Sequence, residues 1–130
     1  MVRETAQKID LGELTLTQEF VDSYLQAVED KSAIYQQISV APPLALAARV
    51  LSLLIAKLSL PSGALHVSQQ VYSQRAIMVG QELWGSAQSS RPLQRKRWTF
   101  ISTDFVINNQ KGLEVLKGQT TVMVPSEELV

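Results

Sequence analysis

The chain has 130 residues, of which 45% are hydrophobic and 18% charged, with 12 basic side chains balanced by 12 acidic ones. That length suits one domain around one core, expected over residues 1–130, and the absence of net charge leaves no field to steer the chain toward nucleic acid or an anionic membrane. With no cysteine and a single histidine, His66, disulfides, thiolate sites, cysteine nucleophiles and a multi-histidine metal site within one chain are excluded, so no metal is expected.

The leading segment "MVRETAQKID" has no apolar stretch of the kind a secretory signal needs, and the cytoplasm is the expected compartment. The first helix is expected in "LTLTQEFVDSYLQAVED". Thr17 can cap it, Glu19 suits its first turn, and Phe20, Tyr24 and Ala27 or Val28 recur at helical spacing. A polar turn follows, "EDKSAIYQQISVAPP", after which Pro43 suits a first helical position. Leu44 to Leu58 then supply apolar residues on nearly every side, as in a helix surrounded by protein.

The run "VAPPLALAARVLSLLIAKLSL" approaches the length of a membrane span. It carries Arg49, Lys57, two serines and two prolines, and each charge at a bilayer centre would cost about 2.5–3.5 kcal/mol. A helix buried within a soluble protein is the expectation. "LPSG" ends it, and the pattern then alternates. "ALHVSQQVYSQ", "QELWGSAQSS", "RKRWTFISTDFVIN" and "LEVLKGQTTVMV" read as four antiparallel strands, with "NNQKG" as the turn of a hairpin.

A long apolar helix followed by antiparallel strands predicts an α+β fold in which a curved sheet wraps the helix. Such a sheet leaves one edge and one helix flank uncovered. Dimerisation is expected to cover them, using the apolar surplus of Leu51, Leu54 and Ile55.

"FVDSYLQAVED", "APPLALA", "LHVSQQVYSQRAIMVGQEL" and "VINNQKGLEVLKGQTTVMV", in that order over about Leu14 to Val124, resemble the MaoC-like hot-dog family of (R)-specific enoyl-thioester hydratases and 3-hydroxyacyl-thioester dehydratases. The resemblance is nearest to the branch with "APP" before the central helix, and it implies a hot-dog fold. Active members carry D-x-N-P-x-H and then His-Gly at the start of that helix. The aspartate and histidine act on one water, or on the hydroxyl and α-proton, while a backbone N–H at the helix N-terminus polarises the thioester carbonyl.

Here Asp30 stands at the aspartate position, Ser32 at the asparagine, Ala33 at the proline and Tyr35 at the histidine. Ala41-Pro42-Pro43 replaces His-Gly. Proline has no N–H, and loss of one oxyanion donor typically costs about 2.7–4 kcal/mol in the transition state. A tyrosine with a pKa near 10 is a poor base at neutral pH.

The resemblance therefore implies a protein that binds an acyl thioester of CoA or acyl carrier protein, without a cofactor, as a non-catalytic or degenerate subunit paired with a catalytic hot-dog chain. Its site would comprise the altered catalytic positions Asp30 and Tyr35 and the binding positions Ser32, Ala41, Pro42, Pro43, Arg95 and Arg97, the two arginines holding the head group or docking a carrier protein. The alternatives are an active hydratase using Asp30, a hot-dog thioesterase using the Glu29–Asp30 pair, and an assembly subunit without a ligand. Asp30 also suits a plain turn, Tyr35 a half-buried aromatic, "RPLQRKRW" a charged turn that keeps an edge soluble, and His66 a structural or solvent-facing position. No nucleophile elbow, P-loop, dinucleotide fingerprint or H-E-x-x-H is present.

Overall fold

A computed structural model describes residues 6–32, 39–58, 60 and 62–126. Strand β1 (Gln7–Glu13) leads into helix α1 (Gln18–Ala27), and a short strand β2 (Val40–Ala41) precedes helix α2 (Pro43–Leu58). Six strands follow: β3 (Leu65–Ser73), β4 (Ile77–Met78), β5 (Leu83–Ser89), β6 (Leu93–Arg95), β7 (Trp98–Asn109) and β8 (Glu114–Pro125). The main sheet runs β1-β5-β7-β8-β3 with β6 added beside β7, and β2 pairs with β4 in a separate ribbon. Every pairing is antiparallel.

Period two fixes which face each strand buries. Along β7 the residues Thr99, Ile101, Thr103, Phe105 and Ile107 are buried, while Phe100, Ser102, Asp104 and Val106 alternate with them on the outer face. Inward residues of β1, β5, β7 and β8, Phe105, Ile107 and Leu116 among them, pack with Ala45, Leu46, Ala47, Val50, Leu54 and Leu58 of α2 in the core, while Ile101, Val122 and Val124 form a smaller cluster against Leu60 and Ala64. Two glycines make room for this packing. A Cβ at Gly85 would meet Leu14 and Ile107, and one at Gly118 would meet the Phe105 ring.

The four expected strands, both helices and the 108–112 hairpin are present. Asn109 closes that hairpin: its side-chain oxygen accepts from the N–H groups of Lys111 (2.9 Å) and Leu113 (3.1 Å), and Gly112 takes a left-handed φ of 77°.

The differences have local causes. Strand β1 lies in the leading segment that carried no assigned element. Its only apolar alternation is Ile9 and Leu11, and a register shift between Asp10 and Gly12 breaks the pairing. In α1, Val21 and Leu25 are the buried residues, one position round from the expected face, with Phe20 and Tyr24 packed beside them. Helix α2 is apolar all round but not surrounded. Leu44, Ala48, Leu51 and Ile55 follow one another along a flank, with Leu44 57% and Ile55 45% exposed. Leu54, expected on that surplus surface, is only 1% exposed and belongs to the core.

No described helix is long and apolar enough to cross a membrane. Among the described residues, no three metal-binding side chains converge.

Candidate functional site

Helix α1 delivers Asp30. Thr17 caps the start of the helix by accepting from the Phe20 N–H at 3.1 Å. The end is a Schellman motif: Asp30 N–H donates to the Leu25 carbonyl (2.9 Å) and Glu29 N–H to that of Gln26 (3.2 Å), with Glu29 in the left-handed region at φ 57°. Glutamate occupies the position where glycine is the usual residue. The Asp30 carboxylate then accepts from the Ser32 N–H at 2.9 Å. Hydrogen bonding to the Ser32 side chain, and then to its backbone, holds the Asp30 carboxyl below the usual carboxylate range. Asp30 is thus an ionised turn-forming group, whereas an acid–base catalyst at neutral pH needs a pKa shifted upward. Ala33 and Tyr35 lie outside the described residues.

The start of α2 carries the other candidate positions. Ala41 is buried within β2, Pro42 is buried, and Pro43 opens the helix. The Ala45 N–H donates to the Pro42 carbonyl at 3.0 Å. With no N–H on Pro42 or Pro43, Leu44 supplies the remaining backbone donor of the first turn.

Val79-Gly80-Gln81-Glu82-Leu83, the turn after β4, fixes this end. Val79 N–H bonds the Ser39 carbonyl and Gly80 N–H the Leu16 carbonyl, each at 2.9 Å, and Gly80 adopts φ 82°. One turn therefore ties the approach to α1 and the approach to α2 together.

Between α1, the flank of α2 and strand β3 lies an open groove of about 470 Å³, walled by Tyr24, Leu44, Ala48, Leu51, Gln69 and Val71. It is mostly apolar. Gln69 pairs in register with Thr120, whose buried hydroxyl has no hydrogen-bond partner among the described residues. A larger concavity of about 900 Å³ lies on the outer face of the sheet, around Lys8, Asp10, Asp104 and Lys117, away from the start of α2. Sequence reasoning missed the groove. Its walls come from three elements, and only the stripe Leu44, Ala48, Leu51, Ile55 hinted at it.

Asp30 and Ser32 lie in the turn that closes α1 and Ala41–Pro43 at the start of α2, whereas Arg95 and Arg97 lie elsewhere. These arginines flank the β6–β7 turn, where Arg95 pairs with Trp98 and Trp98 with Pro125. The opposite end of β7 is the one beside Leu83 and the turn that fixes α2. Twelve strand residues intervene, on the order of 35 Å. His66 is exposed on edge strand β3 and pairs with Val122, toward the same distant end.

No family model matches this sequence, and no curated protein matches it. Solved structures do match. An (R)-hydratase from A. caviae involved in PHA biosynthesis superposes with a TM-score of 0.74 at 19% identity, over 94% of this chain and 97% of that one. A C-terminally truncated HadBC (3R-hydroxyacyl-ACP dehydratase) complex from Mycobacterium tuberculosis gives 0.76 at 16% identity, over 92% and 96%. The chain has the hot-dog fold. A MaoC-like dehydratase from Rhodospirillum rubrum gives 0.68 at 16% identity, over 93% and 92%. Coverage is near-complete in both directions, so the shared fold spans nearly all of this chain and of each of these neighbours.

Proposed function

We propose that this hot-dog chain is a MaoC-like protein that binds an acyl thioester without transforming it, as the silent subunit beside a catalytic hot-dog chain. The observation that carries this reading is the start of α2. Pro42 and Pro43 lack N–H groups and Ala45 spends its own on Pro42, where a hydratase needs donors aimed at the thioester carbonyl. The low pKa of Asp30 and the chemistry of a tyrosine in the histidine position point the same way.

The groove beside α2 is the proposed acyl site, because its walls are chiefly apolar and its size is within the range of small-ligand pockets. It lies on the helix flank and sheet edge that a second hot-dog chain would cover. Leu44, Ala48, Leu51 and Ile55 with edge strand β3 form the proposed subunit interface. The HadBC neighbour is itself a complex of a dehydratase. A thioesterase reading is weaker, since α2 contains no aspartate or glutamate to activate water from the helix.

The test is to mix purified protein with short and long trans-2-enoyl-CoA, following loss of enoyl absorbance, release of thiol and binding by calorimetry. Binding with neither reaction is the expected result. Hydration that disappears in Asp30→Asn would overturn the silent-subunit reading. Release of free thiol would establish a thioesterase, and absence of both binding and turnover would leave an assembly subunit.

A further inference from the structure

The outer face of the sheet carries an apolar row that the proposed acyl site does not use and that meets the proposed subunit interface only at Leu65 on the edge strand β3. Leu93 of β6 pairs with Phe100 of β7, Phe100 with Met123 of β8, and Met123 with Leu65 of β3. Paired residues in a sheet project from the same face. Phe100 and Met123 alternate with the buried residues Thr99, Ile101, Val122 and Val124, so the whole row faces away from α2. Leu93 is 52% and Leu65 49% exposed, and four apolar side chains lie in line across four strands. Such a band marks a contact surface.

The charges on either side of the row are arranged unequally. No acidic residue occurs between positions 83 and 103, while Arg91, Arg95, Lys96 and Arg97 supply four of the chain's 12 basic side chains there. Lys96 sits in the two-residue turn between the paired residues Arg95 and Trp98, at φ 59°. On the other side of the row comes a hydroxyl pair, Ser102 and Thr121, joined at 3.0 Å. Asp104 follows, its carboxylate held by the Gln119 side-chain amide at 2.9 Å. Asp104 lies four strand residues from Phe100, roughly 13 Å along β7, and Lys96 lies past Phe100 in the opposite direction, in the turn that precedes Trp98.

That spacing makes the face complementary to itself. Two copies stacked face to face about a two-fold axis through the Phe100–Met123 row, with β7 antiparallel to its mate, place apolar row on apolar row. Each Lys96 then lies over the other copy's Asp104. The alternative two-fold, with strands parallel, stacks the cationic turn on itself and is disfavoured by repulsion. We propose that this outer face pairs with the same face of a second copy, strands antiparallel, with the apolar row at its centre and Lys96–Asp104 contacts at both ends. The inference stands apart from the acyl-binding reading and from the subunit interface at the α2 flank.

The test is sedimentation velocity at low salt over a concentration series, with the full chain and with Ile55→Asp, which carries a charge on the α2 flank so that only outer-face pairing remains. In the Ile55→Asp background a dimer is expected. Leu93→Asp, Lys96→Glu and Asp104→Lys should each raise its dissociation constant at least tenfold. The double variant Lys96→Glu/Asp104→Lys should return to within about threefold of the parent. All four positions are exposed, so folding is checked by an unchanged circular dichroism spectrum.

A monomeric Ile55→Asp parent at all concentrations overturns the proposal. So does a Lys96→Glu effect without an Asp104→Lys effect, which would indicate a separate acidic partner surface. Failure of the charge-swapped double to recover would also overturn it. None of these outcomes bears on whether the groove binds an acyl thioester.

Discussion

Gly118→Ala tests how the sheet supports the groove. Gly118 on β8 lies between Phe105 of β7 and Val71 of β3. A Cβ built there comes within 2.6 Å of Phe105 Cζ and 3.1 Å of Cε2, and also strikes the Gln70 backbone carbonyl. The ring is not free to swing clear, since Phe105 is 4% exposed within the core.

Overpacking of this kind costs about 1–3 kcal/mol, and the lower entropy of the unfolded alanine chain offsets about 0.4–1 of it. The expected net loss is about 1–2 kcal/mol. With an unfolding entropy of about 2.1 cal/mol/K per residue, a chain of this length should lose about 4–7 °C in Tm. Thermal and urea unfolding at one fixed protein concentration measure it, because association alters apparent stability. Phe105→Leu in the alanine background should recover part of the loss, as a coupling of about 0.5–1.5 kcal/mol in a double-mutant cycle. If Gly118→Ala matches wild type within about 0.3 kcal/mol, or the two substitutions simply add, Phe105 does not close over that glycine and the account of the β8–β3 wall is wrong.

Asp30 gives a pH prediction. Its folded pKa is depressed, so its contribution to stability is present above the unfolded pKa and lost as pH falls through the folded value. The stability gap between wild type and Asp30→Asn should therefore shrink as urea midpoints are taken from pH 6 down to pH 3; a gap that widens refutes the Ser32 contact. Thr120→Val replaces a buried hydroxyl that lacks a partner among the described residues by an apolar group of the same shape, and urea unfolding should show no loss, or a gain of up to about 1 kcal/mol. A loss above about 1 kcal/mol would mean that the hydroxyl is satisfied in solution. With Leu93→Asp blocking the outer face, Ile55→Asp on the exposed stripe of α2 should weaken the remaining subunit pairing at least tenfold by analytical ultracentrifugation while leaving the fold intact. An unchanged association would place the interface elsewhere.

Elements with strong periodicity are legible in the sequence. The apolar density of 44–58, the alternation of 98–107 and the Asn-Gly chemistry of 108–112 each specify one local structure. Strand β1 was not legible. Two apolar residues separated by one aspartate and followed by Gly12 are too short a signal, and the strand is stabilised by β5, to which it pairs across more than seventy residues of sequence. The two-residue strands β2 and β4 depend similarly on the tie between Val79 and Ser39. Such elements are made by tertiary partners and carry little pattern of their own.

The candidate site divides along the same line. That Pro42 and Pro43 remove helix-terminal donors follows from covalent structure, wherever the helix lies. That Asp30 closes α1 through Glu29 and Leu25, so that its carboxylate serves the next turn, is a matter of hydrogen-bond partners that residue identity alone does not choose. Arg95 and Arg97 show the limit most clearly. Their cationic chemistry suits a phosphate, yet the antiparallel path of β7 carries their turn to the end of the sheet remote from the start of α2. A charge motif specifies what it can bind, but topology decides which ligand it can reach. At this end of the molecule the neighbouring groups are Leu93, Phe100 and Met123, which is why the arginine-rich turn is better explained by a protein surface than by the head group of a thioester held beside Leu44.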